Sequence, residues 1–306
     1  MPVIGTFDPV KDIPSLAGKV ILITGANTGL GKQSALELAK HEPSHIWMTA
    51  RNVDKGNAAV AEVKRQSPDV LVSFLELDLS SFESIKAAAK AFLATASRLD
   101  VLFLNAGVLG HPAALTQDGY EIHIGTNHMG HALLLKMLTP LLVETASDPP
   151  GTGVRVLSIS SIGYKYSKEG INFDTLKETV EDISPIERYC QSKLANLLYA
   201  QQVAKRFPQF TTVSVHPGEV ATELFSREPG DEQVRKLQTE VAPKVAIAVE
   251  EGVKNQLWAA TAKGVIGGSY YEPIGVSGVA TGLANDTEMA SKLWEWTEKE
   301  LKAHGA

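Results

Sequence analysis

The chain has 306 residues, 44% hydrophobic and 21% charged, with 25 glycines and 15 prolines. That composition excludes a disordered chain, a collagen-like repeat and a disulfide scaffold, since the single Cys190 has no internal partner. A net charge of −6 supplies no basic footprint, which excludes nucleic acid and anionic membranes as expected partners.

No segment offers the ~18 uninterrupted apolar residues that span a bilayer, and residues 1–8 lack the basic and apolar parts of a signal peptide. A fold held by its core in a reducing compartment is expected, with a cytoplasmic location and no membrane partner.

In chain order, Lys19–Thr24 reads as a strand and Leu30–Lys40 as a helix with apolar residues at helical spacing. His45–Ala50 reads as a second strand, followed by a helix over Asp54–Gln66. Leu71–Leu77, Val101–Leu104 and Val154–Ile159 are the next strands, Thr211–His216 the sixth and Gly268–Glu272 the seventh. Leu293–Trp296 falls in a C-terminal helix, where its tryptophans read as packing. Continuous apolar strands separated by helices predict an α/β fold, a doubly wound parallel sheet of about seven strands with helices on both faces. The breaks at Ser147–Gly153 and Glu228–Asp231 are too short for linkers. Residues 1–306 therefore read as a single domain, with the second break inside a mobile loop.

Thr24-Gly25-Ala26-Asn27-Thr28-Gly29-Leu30-Gly31 follows the first strand and opens the first helix. Glycines end strands for structural reasons too. In a strand–turn–helix setting, however, they let the backbone approach a pyrophosphate that the helix N-terminus favours, as in a Rossmann-type dinucleotide site. No Gly-Lys-Ser/Thr ending follows, which argues against a P-loop.

The spacing Thr-Gly-x-x-x-Gly-x-Gly resembles the short-chain dehydrogenase/reductase family, and further motifs occur in that family's order. Asp78-Leu79 follows the third strand, Asn105-Ala106-Gly107 closes the fourth, and Asn127 lies in the next helix. Ser160-Ser161 ends the fifth strand, Tyr189-x-x-x-Lys193 follows, and His216-Pro217-Gly218 ends the sixth. The resemblance runs from about Gly18 to Thr222 and is nearest to retinol-dehydrogenase-like and fungal-type reductases. It implies cofactor contacts from Gly25, Asn27, Thr28, Gly29, Leu30 and Gly31 in the turn. It implies others from Asp78 and Leu79, from Asn105, Ala106 and Gly107, and from Pro217, Gly218, Val220 and Thr222.

Tyr189 and Lys193 are four residues apart and share one helix face. A phenol holds its proton to about pH 10, and a neighbouring ammonium is expected to lower that value, making Tyr189 a usable acid/base. An ordinary surface pair is the plainer alternative. The resemblance implies that Tyr189 exchanges the proton, Lys193 also bonds the nicotinamide ribose, and Ser161 rather than Ser160 polarises the carbonyl. Asn127 would hold a helix backbone group and a water linking Lys193 to solvent, although a helical Asn alone reads as a cap or kink. The stretch from Ser161 to Tyr189 exceeds the family's usual spacing. Its Tyr164, Tyr166 and Phe173 are expected on the rim of the substrate pocket, with Glu219–Pro243 and the C-terminal part.

NAD-preferring relatives carry a carboxylate where this chain has Ala50, and Arg51 follows with a guanidinium suited to a phosphate. Thr28 stands where some NADP-using relatives place a basic residue, leaving Arg51 as the main 2′-phosphate ligand, assisted by Lys55. NADP is the expected cofactor, with dual use open. His128 and His131 could meet on neighbouring turns, but no third ligand is spaced to complete a metal site, so none is expected. Cys190 reads as a buried filler.

The leading reading is an NADP-dependent carbonyl reductase or alcohol dehydrogenase acting on a small-molecule ketone, aldehyde or alcohol. A cofactor-sensing regulatory protein on the same fold is the alternative, but such proteins typically lose the Tyr or Lys retained here. Nucleotide-sugar epimerases and dehydratases usually space their glycines differently. Leu224 and Phe225 suggest an apolar or aromatic substrate. Retinoids are disfavoured because no membrane anchor is seen, and a homodimer is left open.

Overall fold

The computed structural model describes residues 7–148, 153–220 and 231–305. Seven parallel strands form one sheet: β1 Val20–Ile23, β2 His45–Ala50, β3 Leu71–Glu76, β4 Val101–Leu104, β5 Arg155–Ile159, β6 Thr211–Val215 and β7 Tyr270–Tyr271. Their spatial order is β3-β2-β1-β4-β5-β6-β7. Pairing places Ile21 opposite both Ile46 and Val101, so β1 lies between the two halves of the sheet. Each expected strand forms within a residue or two of its expected ends. The last is the exception, with two residues of the five expected.

The longer helices are α1 Gly29–Ala39, α2 Val53–Gln66, α3 Phe82–Leu93, α4 Gly130–Ala146, α5 Pro185–Arg206, α6 Val249–Thr261 and α7 Thr287–Ala303. Successive strand residues face opposite sides of a sheet, so an unbroken apolar strand feeds two cores. Leu22, Leu102, Leu104 and Val156 pack with side chains of α3, α4, α5 and α7 on one face. Ile21, Ile23, Val101 and Phe103 pack with α1, α2 and α6 on the other.

The expected packing role of the C-terminal helix is borne out. Trp294 stacks on Tyr199 at 5.1 Å, the Arg206 guanidinium lies 4.3 Å from the Trp294 ring, and Leu293 and Leu301 are fully buried. Glu228–Gly230 of the expected mobile loop lie outside the described residues. From Asp231 onward the chain is helical: Asp231 caps a short helix over Glu232–Lys236, which continues as a π-turn over Leu237–Val241 and a last turn over Ala242–Val245. No helix among the described residues is long and apolar enough to cross a membrane.

Candidate active site

The strand order reverses at β1, and the crevice at the carboxyl ends of β1 and β4 is where an open parallel sheet takes ligands. A cavity of about 660 Å³ opens there. The turn at its floor is fixed by side chains as well as glycines. Thr24 Oγ1 accepts the backbone N–H groups of Asn105 (2.8 Å) and Ala106 (3.0 Å), and Asn105 Nδ2 donates to Thr24 O at 2.8 Å. Gly25 has φ +63°, and a Cβ on it would meet Ala106 Cβ at 2.8 Å. A Cβ on Gly31 would come within 2.4 Å of Gly25 O, so Gly31 sets the close packing of α1 on the turn rather than lining the cavity.

Thr28 precedes α1 without a side-chain capping bond, and Gly29 and Leu30 line the cavity. The first N–H groups of α1 are thus left to bind an anion. A dinucleotide pyrophosphate fits this cradle. Arg51 and Lys55 also line the cavity, both exposed, flanking the start of α2 where Asn52 Oδ1 accepts the Lys55 N–H at 2.8 Å. Among the described residues neither cation has a carboxylate partner. Buried Ala50 leaves the carboxylate position empty of charge.

The catalytic candidates meet at the end of β5. Ser161 is half-buried and lines the cavity with Tyr189, and its Oγ accepts the Gly163 N–H at 3.0 Å. Ser160 is buried and occupied otherwise, its Oγ donating to Lys193 O at 2.8 Å. Both serines border the cavity, Ser161 with a half-exposed side chain and Ser160 with a buried one that ties α5 to the sheet. Lys193 is buried, donates to Ile159 O at 2.9 Å and lies 5.5 Å from the centre of the Tyr189 ring. Burial lowers its pKa to about 8.

The expected lowering of the Tyr189 pKa is corrected. Burial pushes the phenol well above its ordinary range, against the opposing pull of the Ser161 hydroxyl, and Cys190 and Glu219 push it further up. Desolvation is the largest cause.

Asn127 also departs from expectation. It sits in a π-turn over Gly125–Met129, where Oδ1 accepts the Val108 N–H (2.8 Å) and Nδ2 donates to Val108 O (3.0 Å) and Ser192 Oγ (2.9 Å). Its side chain thus grips the loop after β4 and the Ser192 hydroxyl of α5 instead of a helix backbone group. Its carbonyl takes the His131 Nδ1–H at 3.0 Å, and His131 Nε2 lies 2.9 Å from Thr24 Oγ1, whose hydroxyl also has Phe103 O within reach at 3.1 Å. Burial holds His131 neutral, with its pKa near 4, which fixes that tautomer. This Asn127–His131–Thr24 chain joins the catalytic side to the phosphate turn. His128 bonds Thr297 of α7 at 2.8 Å, so the two histidines serve different partners.

Of the other expected cofactor residues, Asn27, Asp78, Leu79, Asn105, Ala106, Gly107, Pro217, Gly218 and Val220 line the cavity, whereas Thr222 lies outside the described residues. Asp78 Oδ1 also accepts from Ser80. The expected rim is corrected. Tyr166 lies at the cavity and is 67% exposed. Tyr164 is buried, its hydroxyl accepting the Thr281 N–H, and Phe173 packs on Trp296. No residue after Leu237 lines the cavity among the described residues. Leu224 and Phe225 are not described. Val108, Leu109, Thr126 and Ile186 line it without a sequence expectation for them, and Leu237 lines it from the expected segment Glu219–Pro243. Ile186, on the approach to Tyr189, was the one within reach of motif reading. Cys190 is a buried filler against Leu109 and Tyr189, and burial pushes its thiol up to about 12.

The model of the short chain dehydrogenase family matches residues 19–233. A short-chain dehydrogenase/reductase of Aspergillus calidoustus, drtF, is 34% identical over 305 residues, covering 95% of this chain and 96% of that protein. Human retinol dehydrogenase 11 is 34% identical over 284 residues, covering 92% and 85%. The crystal structure of an uncharacterized protein from Mycobacterium paratuberculosis superposes with a TM-score of 0.73 at 31% identity, covering 96% and 97%.

Proposed function

This chain belongs to the short-chain dehydrogenase family and is an oxidoreductase, and from that premise we propose that it is an NADP-dependent reductase of ketones or aldehydes, working in reverse on the alcohols. One observation carries the reading. Ser161, Tyr189 and Lys193 meet in the cavity that is also floored by the glycine turn.

A bound nicotinamide supplies the hydride. The protein's own part is positional and electrostatic. The Gly25–Gly31 turn and the open start of α1 hold the pyrophosphate, and Arg51 with Lys55 takes the 2′-phosphate. Ser161 Oγ donates to the carbonyl oxygen and stabilises charge developing there. Tyr189 is protonated at neutral pH and is therefore ready to donate in the reducing direction. Lys193, buried beside it, is mostly charged at pH 7 and favours the phenolate left after transfer.

In this reading residues 1–306 act as one catalytic domain, with the segment 219–245 closing the substrate side. The partner is a small carbonyl compound or alcohol, the location is the cytoplasm, and a homodimer is the assembly to test. The test is NADPH consumption, followed by absorbance at the nicotinamide band, across a panel of ketones and aldehydes. Turnover of at least one compound that is lost in Tyr189→Phe supports the reading. Unchanged turnover in a folded Tyr189→Phe variant contradicts it.

A further inference from the structure

Beyond the phosphate turn, the cavity walls supplied by Leu109, Ile162, Ile186, Cys190 and Leu237 are apolar. The segment after β6 brings one carboxyl to this cavity. Glu219 is half-buried and lines it. Its backbone is pinned, because Glu219 O accepts the Ile247 N–H at 2.7 Å, beside a bridge pairing Val220 with Ile247.

Glu219 makes no ion pair and its side chain no hydrogen bond among the described residues. The acid acting on it, Glu272, is engaged elsewhere. It accepts from the Tyr270 hydroxyl at 2.8 Å and pairs with Lys165 at 3.5 Å. A second observation points to the same place. His216 is 7% exposed and lines the cavity, and its Nδ1 has no hydrogen-bond partner among the described residues. A buried polar atom left without a partner is costly, and a cavity holding the His216 Nδ1 and the unpaired Glu219 carboxyl suits a ligand that satisfies them.

We propose that Glu219, with His216 lining the same cavity, determines substrate specificity by receiving a hydroxyl of a neutral carbonyl or alcohol substrate and by repelling carboxylates. The proposal rests on the reductase reading given above. It deepens that reading by naming the substrate class: small, largely apolar, uncharged and bearing a hydroxyl. A carboxyl oxygen accepts from a hydroxyl whether or not the group is ionised. Burial, with Glu272 next, raises the Glu219 pKa. When ionised it meets an anionic substrate in a poorly solvated space, where like charges repel far more than in water.

The test is calorimetric titration of the full chain, saturated with NADP⁺, with benzoate and with benzyl alcohol, repeated for Glu219→Gln and Glu219→Lys. The expected result is benzoate binding at least ~10-fold tighter in Glu219→Gln and tighter again in Glu219→Lys. Benzyl alcohol binding should weaken about 3-fold or more in Glu219→Lys, and NADP⁺ affinity should change little in either variant. Benzoate affinity equal in all three proteins, undetectable in all three, or shifting in parallel with that of benzyl alcohol would overturn the proposal alone. Failure of the unsubstituted protein to bind NADP⁺ would overturn the reductase reading and the proposal with it.

Discussion

The two ends of the cavity are built by different means. At the phosphate end, one short segment, Thr24–Gly31, is braced by Asn105 and Ala106 through hydrogen bonds of 2.8–3.0 Å, and Gly25 and Gly31 sit where a Cβ would strike backbone. At the substrate end, the wall comes from separate places: Leu109 after β4, Ile162 after β5, Ile186 on α5, Glu219 after β6 and Leu237 in the π-turn. The first end suits a feature common to every dinucleotide and is held by the Thr24 and Asn105 side chains together with its glycines. The second is assembled from side chains that can each change without disturbing the sheet. Substitutions at the two ends should therefore fail differently, by loss of the cofactor at one and by loss of chemistry or selectivity at the other.

The largest effect belongs between the two ends. Tyr189→Phe keeps the buried ring and removes only the exchanging proton, so turnover should fall by ~10²-fold or more while NADPH binding survives. Steady-state rates and a cofactor titration on the same preparation check it, and a parallel loss of both would move Tyr189 to the cofactor end.

Lys193→Met should also abolish most turnover, yet it should stabilise the fold. The folded pKa near 8 lies below the ordinary 10.5, so at pH 7 the protein bears the full cost of burying the charge. That cost fades as pH rises from about 8 to 10.5, where only the unfolded chain still holds the proton. Ile159 O keeps a donor in Asn196 Nδ2 at 3.2 Å, so the substitution leaves no orphaned carbonyl. A gain of about 2–3 kcal/mol in urea unfolding at pH 7, shrinking towards pH 10, is expected. A loss of stability would show that the ammonium is better solvated than its burial implies.

The serines sharpen the contrast further. Ser161→Ala should lower turnover strongly with little change in stability. Ser160→Ala should cost about 1 kcal/mol of stability through its lost bond to Lys193 O and leave turnover closer to normal. If the two variants exchange ranks, the assignment of the cavity-facing hydroxyl is wrong. At the phosphate end, Arg51→Ala should weaken NADPH by about 1.5–3 kcal/mol and leave NADH nearly unchanged. Ala50→Asp should shift preference towards NADH by adding a ribose acceptor that repels phosphate, and inhibition constants for both nucleotides measure it.

The uneven construction also decides what could be read from the residues alone. The strands were legible because both faces are buried, which leaves unbroken apolar runs such as Val20–Ile23 and Val101–Leu104. The glycine turn and the Ser161, Tyr189 and Lys193 positions were legible because fixed backbone geometry imposes fixed spacing. Tyr164 was misplaced because an aromatic residue in an insertion looks the same in sequence whether it faces a pocket or packs, as here, on Tyr270. The grip of Asn127 on Val108 and the role of His131 were out of reach, since they depend on a π-turn that no local pattern announces. The direction of the Tyr189 pKa was missed because spacing along a helix shows which charge is near but not how deeply the phenol is buried.

The central claim is that the cavity takes NADP(H) through the turn and the Arg51–Lys55 pair. Its most direct test is a paired titration of the full chain with NADPH and NADH, followed by nicotinamide fluorescence at fixed ionic strength. The account predicts NADPH binding at least ~10-fold tighter than NADH, with the difference largely lost in Arg51→Ala. Equal affinities, or tighter binding of NADH by the unsubstituted protein, would contradict it.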